Sequence, residues 1–174
     1  MLERLVPKLR VNSVYDIDLE KLYAQGIRGI ITDLDNTLVG AKVALATPEL
    51  AAWLKTVEEK GIRVVIVSNN NADRVGGFST PLSLPFVYSA RKPSRRAFKQ
   101  ALDLLRLKPE QTVMIGDQML TDVLGGNRMG LYTVLVAPIS PADEGVMTRV
   151  NRKIERIALV RLRKRGLWHE EEQK

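Results

Sequence analysis

The stretch IITDLDNTLVG, residues 30–40, decides the fold and raises the question of function. An apolar run that is typical of a buried strand leads directly into two aspartates, Asp33 and Asp35. Alternate positions of a strand lie on the same side of the backbone, so these like charges repel each other. Folding alone does not favour this arrangement, and something else therefore requires negative charge here.

Length and composition indicate a globular protein. The chain has 174 residues, of which 45% are hydrophobic, and this suits one compact domain over residues 1–174. No apolar run approaches the roughly 18 residues of a membrane-spanning helix, and the start does not resemble a secretory signal. Cysteine is absent, which excludes a disulfide framework and is consistent with a cytoplasmic location.

Positive charge is concentrated near the C-terminus. The chain has a net charge of +7, and residues 146–165 alone hold eight basic residues against one acid, Glu155. The segment is amphipathic, with an apolar stripe formed by Met147, Val150, Ile154, Ile157 and Ala158. It predicts a helix on an anionic membrane, a helix packed on the sheet with a solvated basic face, or a nucleic-acid-binding segment. No interleaved aromatic residues support the last interpretation.

Apolar runs alternate with helical stretches through residues 27–137. The apolar runs are 27–35, 62–70, 85–90, 112–117 and 131–138, and the helical stretches are 47–61, 93–108 and 118–130. This alternation predicts an α/β fold, a three-layer Rossmann-like arrangement around a mostly parallel sheet of about five strands. Residues 1–25 are predicted to form an N-terminal helical segment.

Three of the predicted strands end in polar residues. Asp33 and Asp35 follow the first strand, Ser68 follows the second and Asp117 follows the fourth. Because ligands bind at the carboxyl ends of parallel strands, we expect these side chains to gather at one edge. Lys92 precedes a helix whose N-terminal amides add positive potential. The combination predicts a site for Mg²⁺ and an oxygen-rich anion such as phosphate.

Four short motifs then show a family resemblance. DLDNTL, VSNN, RKP and GDQMLTD stand in the order and form of the motifs of the haloacid dehalogenase-like (HAD) phosphatases. The resemblance covers roughly residues 27–137. It implies that Asp33 is the nucleophile and a metal ligand, and that Asp35 is the general acid and base. The main-chain carbonyl of Asp35 would also bind Mg²⁺.

The resemblance implies further roles for the remaining motif residues. Lys92 would neutralise the phosphate and the nucleophile, and Asp117 would be the second metal carboxylate. Asp122 would act as an outer partner of the metal site. Substrate binding would involve Thr37, which supports the nucleophile loop, together with Ser68, Asn69 and Lys92.

Structural alternatives exist for three of these residues. Ser68 also suits a helix cap, Lys92 a solvated loop, and Asp122 the surface of a helix. The only histidine, His169, lies near the C-terminus and is not expected to take part.

The spacing between motifs leaves no room for a cap domain, so an open site is predicted. Within the superfamily the chain is similar to the small YqeG-type group of subclass IIIA, including residues 6–38. The same arrangement occurs in mitochondrial-type phosphatases that convert phosphatidylglycerophosphate to phosphatidylglycerol. This resemblance implies a phospholipid headgroup as the candidate substrate. Independently of the resemblance, the basic segment 146–165 predicts peripheral contact with an anionic membrane, at its inner face.

Two other functions remain open. One is a phosphatase of soluble sugar or nucleotide phosphates, which the same catalytic residues would serve equally well. The other is a nucleic-acid-binding or ribosome-associated protein that has kept only the HAD fold. The complete catalytic set argues against the second function, since a binding module has no need of Asp35 or Lys92.

Overall fold

A computed structural model describes residues 2–168. Within this range one sheet has the strand order β1-β6-β5-β2-β3-β4, and every pair of neighbouring strands is parallel. The strands are β1 Leu9–Val11, β2 Gly29–Thr32, β3 Arg63–Val67, β4 Phe86–Val87, β5 Thr112–Gly116 and β6 Tyr132–Val136.

In the described part of the chain, five α-helices connect successive strands, and a sixth follows the last strand. They are α1 Leu19–Ala24, α2 Pro48–Glu59, α3 Ala72–Ser79, α4 Arg95–Leu105, α5 Leu124–Met129 and α6 Val146–Lys164. A π-helical turn, Met119–Val123, leads into α5. The start of α2 follows the sequence pattern, because Thr47 Oγ1 accepts the N–H of Leu50 at 3.1 Å and Pro48 occupies the first helical position.

The two faces of the sheet pack against different helices. Ile30 and Ile31 are adjacent in β2 but belong to separate hydrophobic clusters, because successive strand side chains point to opposite faces. Ile30 shares its cluster with Trp53 of α2 and Phe78 of α3, whereas Ile31 shares its cluster with Phe98 of α4. The predicted three-layer α/β fold is confirmed, with six strands rather than about five.

The additional strand lies in the segment predicted to be helical, residues 1–25. Two 3₁₀ turns and α1 do occur there, but Leu9–Val11 is extended and pairs with β6. Lys8 extends this pairing by donating its N–H to Thr133 O at 2.9 Å. A strand of three residues is too short to produce a visible alternation, and the hydrogen bonds of an existing sheet edge decide its conformation.

The connections between the motifs stay close to the sheet. From Asp35 to Ser68 the chain forms a loop, α2 and β3, and from Ser68 to Lys92 it forms α3, a 3₁₀ turn and β4. Among residues 2–168 no further domain is inserted over the carboxyl edge of the sheet.

The basic segment forms α6, but most of its apolar stripe faces solvent. Only Ala158 of the stripe is buried, and the helix packs through Glu155, Ala158 and Leu162. The other four side chains are between 45% and 72% exposed: Met147, Val150, Ile154 and Ile157. No helix in the described range is long and apolar enough to cross a bilayer. His169 lies outside the described residues.

Close packing of α5 against α4 requires glycine at position 125. A Cβ there would lie 2.3 Å from Cε2 of Phe98, which is fully buried. We expect Gly125→Ala to lower the free energy of unfolding by about 1–3 kcal/mol through overpacking, as measured by thermal unfolding. Gly77→Ala in α3 is the control, since no atom lies within 4 Å of its added Cβ. An equal loss in both variants would contradict this packing argument.

Candidate active site

Asp33 lies at the carboxyl end of the central strand β2. Its N–H donates to Ile115 O at 3.0 Å, which extends the pairing with β5, and its side chain is 8% exposed. The chain then leaves the sheet through Asn36, whose φ of 66° is a left-handed conformation that asparagine tolerates. A hydrogen bond of 2.7 Å from Asn36 N to Val39 O closes the loop that follows Asp35.

Lys92 is buried between two carboxylates. Its Nζ lies 2.9 Å from Asp33 Oδ1 and 2.7 Å from Asp122 Oδ1, and its side chain is 2% exposed. The main-chain N–H of Lys92 donates to Asn69 Oδ1 at 2.7 Å, so the loop after β3 holds the lysine in place. Lys92 is therefore not a solvated loop residue, and Asp122 is not a surface acid.

Two more carboxylates follow β5. Asp117 Oδ1 accepts a hydrogen bond of 2.9 Å from Thr37 Oγ1, which links it to the loop after β2. Asp122 lies in the π-helical turn, a feature that is frequent at functional sites, and its Oδ2 accepts the N–H of Gln118 at 3.1 Å. A Cβ at Gly116 would lie 2.3 Å from Asp122 Cγ, so only glycine permits this approach.

The buried acids are arranged to share a cation. One oxygen from each of Asp33, Asp117 and Asp122 lies within 4.8 Å of the others. Ion pairs within residues 2–168 extend this group to a cluster with two basic residues, Lys92 and Arg152. The cluster has five buried carboxylates: Asp33, Asp117, Asp122, Glu144 and Glu155. Excess negative charge on oxygen donors is what a hard divalent cation binds, so these residues fit a divalent metal.

Burial and mutual repulsion raise the pKa of two of these carboxyl groups. Burial raises the pKa of Asp33 to about 7, and the charges of Asp122 and Asp117 add to this rise while that of Lys92 opposes it. Burial likewise raises the pKa of Asp117 to about 6; the charge of Asp122 adds to this rise, and the charge of Arg152 opposes it. The carboxylate partners of Lys92 outweigh its burial and raise its pKa, so the lysine stays charged. The cluster therefore holds a proton readily when it holds no cation.

Asp35 is held by residues around the start of α3. Arg74 donates to Asp35 Oδ1 from Nη2 at 2.8 Å and from Nε at 3.0 Å, and Asn70 Nδ2 donates to Asp35 Oδ2 at 3.0 Å. The side chain of Asp35 is 20% exposed and lines the same cavity as Asp33. The sequence does not single out Arg74 or Asn70 for this contact.

Ser68 lies at the end of β3 and does not cap α3. Its hydroxyl accepts the N–H of Asn70 at 3.1 Å. The capping role belongs to Asn71, whose side chain accepts the N–H of Arg74 at 2.9 Å. Ser68 is buried and, together with Asn69, lines the cavity next to Asp33.

Arg152 of α6 reaches into the carboxylate cluster. Its Nη2 pairs with Asp117 Oδ2 and lies 2.8 Å from Glu144 Oε1. Its Nη1 donates to the main-chain oxygen of Asp117 at 2.5 Å and lies 3.4 Å from Glu155 Oε2. In the sequence Arg152 is one of eight basic residues in a run, and no pattern distinguishes it from the others.

The carboxyl edge of the sheet holds a cavity of about 340 Å³. The predicted site residues that line it are Asp33, Asp35, Ser68, Asn69 and Lys92. The start of α6 also lines it through Met147, Thr148 and Asn151, so the site predicted to be open has a wall on this side. Thr121 is a further lining residue, and its buried hydroxyl has no hydrogen-bond partner within residues 2–168.

Comparisons with known proteins agree with this site. Residues 2–76 match the family model described as mitochondrial PGP phosphatase, and residues 89–138 match the HAD-hydrolase-like model. The probable phosphatase YqeG of Bacillus subtilis is 50% identical over 95% of this chain and 96% of its own length. Phosphatidylglycerophosphate phosphatase 1 of Arabidopsis thaliana is 25% identical over 94% of this chain, which spans 49% of that protein.

A solved structure shares the fold. The cobalt-bound deoxy-D-mannose-octulosonate 8-phosphate phosphatase of Haemophilus influenzae has a TM-score of 0.55 and 17% identity to the present chain. The match covers 80% of this chain and 90% of that one.

The parallel sheet and the carboxylates at its edge define a hydrolase of phosphate monoesters of the HAD type. The 50% identity to the probable phosphatase YqeG extends over nearly the whole of both chains and shows the family of the present chain. The chain belongs to the HAD-like phosphatase family.

Proposed function

We propose that the protein is a Mg²⁺-dependent phosphomonoesterase that works through an aspartyl-phosphate at Asp33 and converts phosphatidylglycerophosphate to phosphatidylglycerol. The observation that carries the proposal is the position of Asp33. It is a buried carboxylate at the centre of the sheet edge, 2.9 Å from Lys92 Nζ and close to two further carboxylates. A nucleophile in this setting is surrounded by groups that can neutralise a phosphoryl group.

The chain supplies the groups for a two-step hydrolysis. In the first step Asp33 Oδ attacks phosphorus, the ester P–O bond breaks, and the leaving oxygen takes a proton from Asp35. In the second step Asp35 removes a proton from water, which attacks the phosphorus of the aspartyl-phosphate. Inorganic phosphate leaves and Asp33 is restored. Arg74 and Asn70 hold the Asp35 carboxyl group in place at the cavity.

Other residues position the phosphate and the metal carboxylates. Lys92 neutralises charge on Asp33 and the phosphate, and Ser68, Asn69 and Thr121 offer hydrogen-bond donors. Thr37 orients Asp117. Mg²⁺ would be held by Asp33, Asp117 and the carbonyl of Asp35, with Asp122 behind them, and would neutralise the transferred phosphoryl group.

Two observations support a lipid substrate. Residues 2–76 match the PGP phosphatase family model, and the carboxyl edge of the sheet carries no inserted domain among the described residues. A cavity at such an edge can meet a headgroup that stays in its membrane. The proposal places the protein in the cytoplasm, in peripheral contact with the inner membrane face.

Metal removal tests the chemistry. We expect the wild-type protein to hydrolyse an aryl phosphate in Mg²⁺, to fall to background in EDTA, and to recover when Mg²⁺ is restored in excess. Undiminished turnover in EDTA would contradict the metal-dependent mechanism.

A substrate screen tests the lipid assignment separately. It compares phosphatidylglycerophosphate in mixed micelles with a sugar phosphate and a nucleotide, and we expect the highest kcat/KM for the lipid. Preference for a soluble ester would overturn the lipid substrate and leave the phosphatase chemistry intact.

A further inference from the structure

One face of α6 presents apolar side chains to solvent. Of the thirteen exposed large hydrophobic residues in the described range, six lie on this helix, with exposures of 45–78%: Val146, Met147, Val150, Ile154, Ile157 and Val160. From Met147 onward they recur every three or four residues, and Val146 lies four residues before Val150, so the six form one continuous row, which we call the α6 stripe. Contiguous apolar surface of this kind marks an interaction site.

The charged residues that α6 exposes are all basic. Arg149, Lys153 and Arg156 follow one edge of the α6 stripe at spacings of three and four residues. The only acid of the helix, Glu155, is buried and lies next to Arg152. The exposed side of α6 is therefore both apolar and positively charged, without acidic residues to balance it.

A second cavity, of about 530 Å³, lies along this basic edge. Arg149, Lys153 and Arg156 line it, together with Arg152 and the two glutamates that pair with it. Arg149, Lys153 and Arg156 form no ion pair within residues 2–168, whereas the two glutamates pair with Arg152, so these three basic residues can meet an anionic group. The cavity is within the size range of small-molecule sites.

We propose that α6 docks on an anionic lipid bilayer, with the α6 stripe at the boundary of headgroups and acyl chains and the basic edge on lipid phosphates. Helices that lie in the membrane interface combine these two features. Each basic residue near an anionic surface contributes about fivefold to binding. A nucleic acid would use the positive charge but would leave the α6 stripe in water.

Docking in this orientation brings the catalytic cavity to the membrane. Met147 belongs to the α6 stripe and also lines the cavity that contains Asp33, and Thr148 and Asn151 line it from the same helix. A phosphate monoester that projects from the bilayer would then face Asp33 without leaving the membrane. This inference identifies the docking surface and rests on the proposed function for its link to catalysis.

Sedimentation of the whole protein with vesicles tests the proposal. Vesicles of phosphatidylglycerol and phosphatidylcholine are compared with pure phosphatidylcholine at low salt, and we expect binding only to the first. Ile154→Ser with Ile157→Ser should lower binding about tenfold or more. Arg149→Gln, Lys153→Gln and Arg156→Gln together should lower it about a hundredfold. Arg152 is left unchanged because it contacts Asp117.

Control variants remove charged or apolar side chains from other parts of the surface. Lys55→Gln, Lys99→Gln and Lys108→Gln remove three charges from other exposed positions, and Leu104→Ser removes an exposed apolar residue of α4. These variants should bind vesicles within about twofold of wild type, because the residues changed in them lie outside the docking surface. Every variant should retain thermal stability and aryl phosphate turnover, because none of the changed residues lines the catalytic cavity.

Several outcomes would overturn the docking surface. They are failure of the wild type to bind anionic vesicles, equal binding to neutral vesicles, and equal loss in the three-lysine control. RNA serves as a second anionic probe. If the double serine variant binds both vesicles and RNA as well as wild type does, the α6 stripe takes no part and positive charge alone accounts for binding. A shift from dimer to monomer in that variant, without loss of vesicle binding, would assign the α6 stripe to a second copy of the chain. Vesicle binding without aryl phosphate turnover would instead contradict the proposed function.

Discussion

Replacing Asp33 with asparagine is expected to abolish hydrolysis of an aryl phosphate in Mg²⁺. The amide cannot attack phosphorus as a carboxylate does, and it removes one of the three acids that lie within 4.8 Å of one another. Loss of a nucleophile lowers kcat by about four orders of magnitude or more. Steady-state turnover of the purified variant, compared with wild type at saturating Mg²⁺, measures the effect.

Stability separates a chemical effect from unfolding in this variant. Asparagine is nearly the same size as aspartate, and its introduction relieves repulsion among the buried acids, so the metal-free variant should unfold no earlier than wild type. Asp103→Asn on the exposed surface of α4 is the matched control and should keep full activity. Turnover of Asp33→Asn within tenfold of wild type would rule out Asp33 as the nucleophile.

The positions at strand ends are predictable from the sequence because each follows an apolar run directly. Asp33, Ser68 and Asp117 stand where β2, β3 and β5 end, and a parallel sheet must bring those ends together. β1 could not be predicted, because no apolar run marks it in the sequence. Its three residues contain Arg10 between Leu9 and Val11 and are held by hydrogen bonds to β6, which no local pattern reveals.

Helical contributors to the site are not predictable in the same way. The amphipathic pattern of α6 correctly indicates a helix, but it does not determine which side faces the sheet. The structure buries Glu155 and Leu162 and exposes the α6 stripe. Polar contacts determine which side of α6 is buried, because Glu155 accepts the N–H of Leu120 at 2.9 Å and Arg152 pairs with Asp117. Such contacts join residues far apart in sequence, and only the tertiary structure reveals them.

Replacing Arg152 with methionine is expected to destabilise the metal-free protein by about 3 kcal/mol. The side chain is 18% exposed and lies against Asp117, Glu144 and Glu155, so its loss leaves three buried carboxylates without their common cation. Methionine retains most of the volume, and the loss is therefore electrostatic. For a chain of this length the midpoint of thermal unfolding in EDTA should fall by about 6–12 °C.

Added Mg²⁺ distinguishes a positioning role at the proposed metal site from a purely structural one. If Arg152 holds Asp117 by neutralising it, a divalent cation can replace part of that effect, and Mg²⁺ should raise the unfolding midpoint more in Arg152→Met than in wild type. Arg156→Met, one turn further along α6 and exposed, should show neither the loss nor the larger Mg²⁺ response. The same midpoint in Arg152→Met and wild type, with the same response to Mg²⁺, would show that this arginine does not support the carboxylate cluster. A large loss that Mg²⁺ does not reduce would assign Arg152 to the packing of α6 rather than to the metal site.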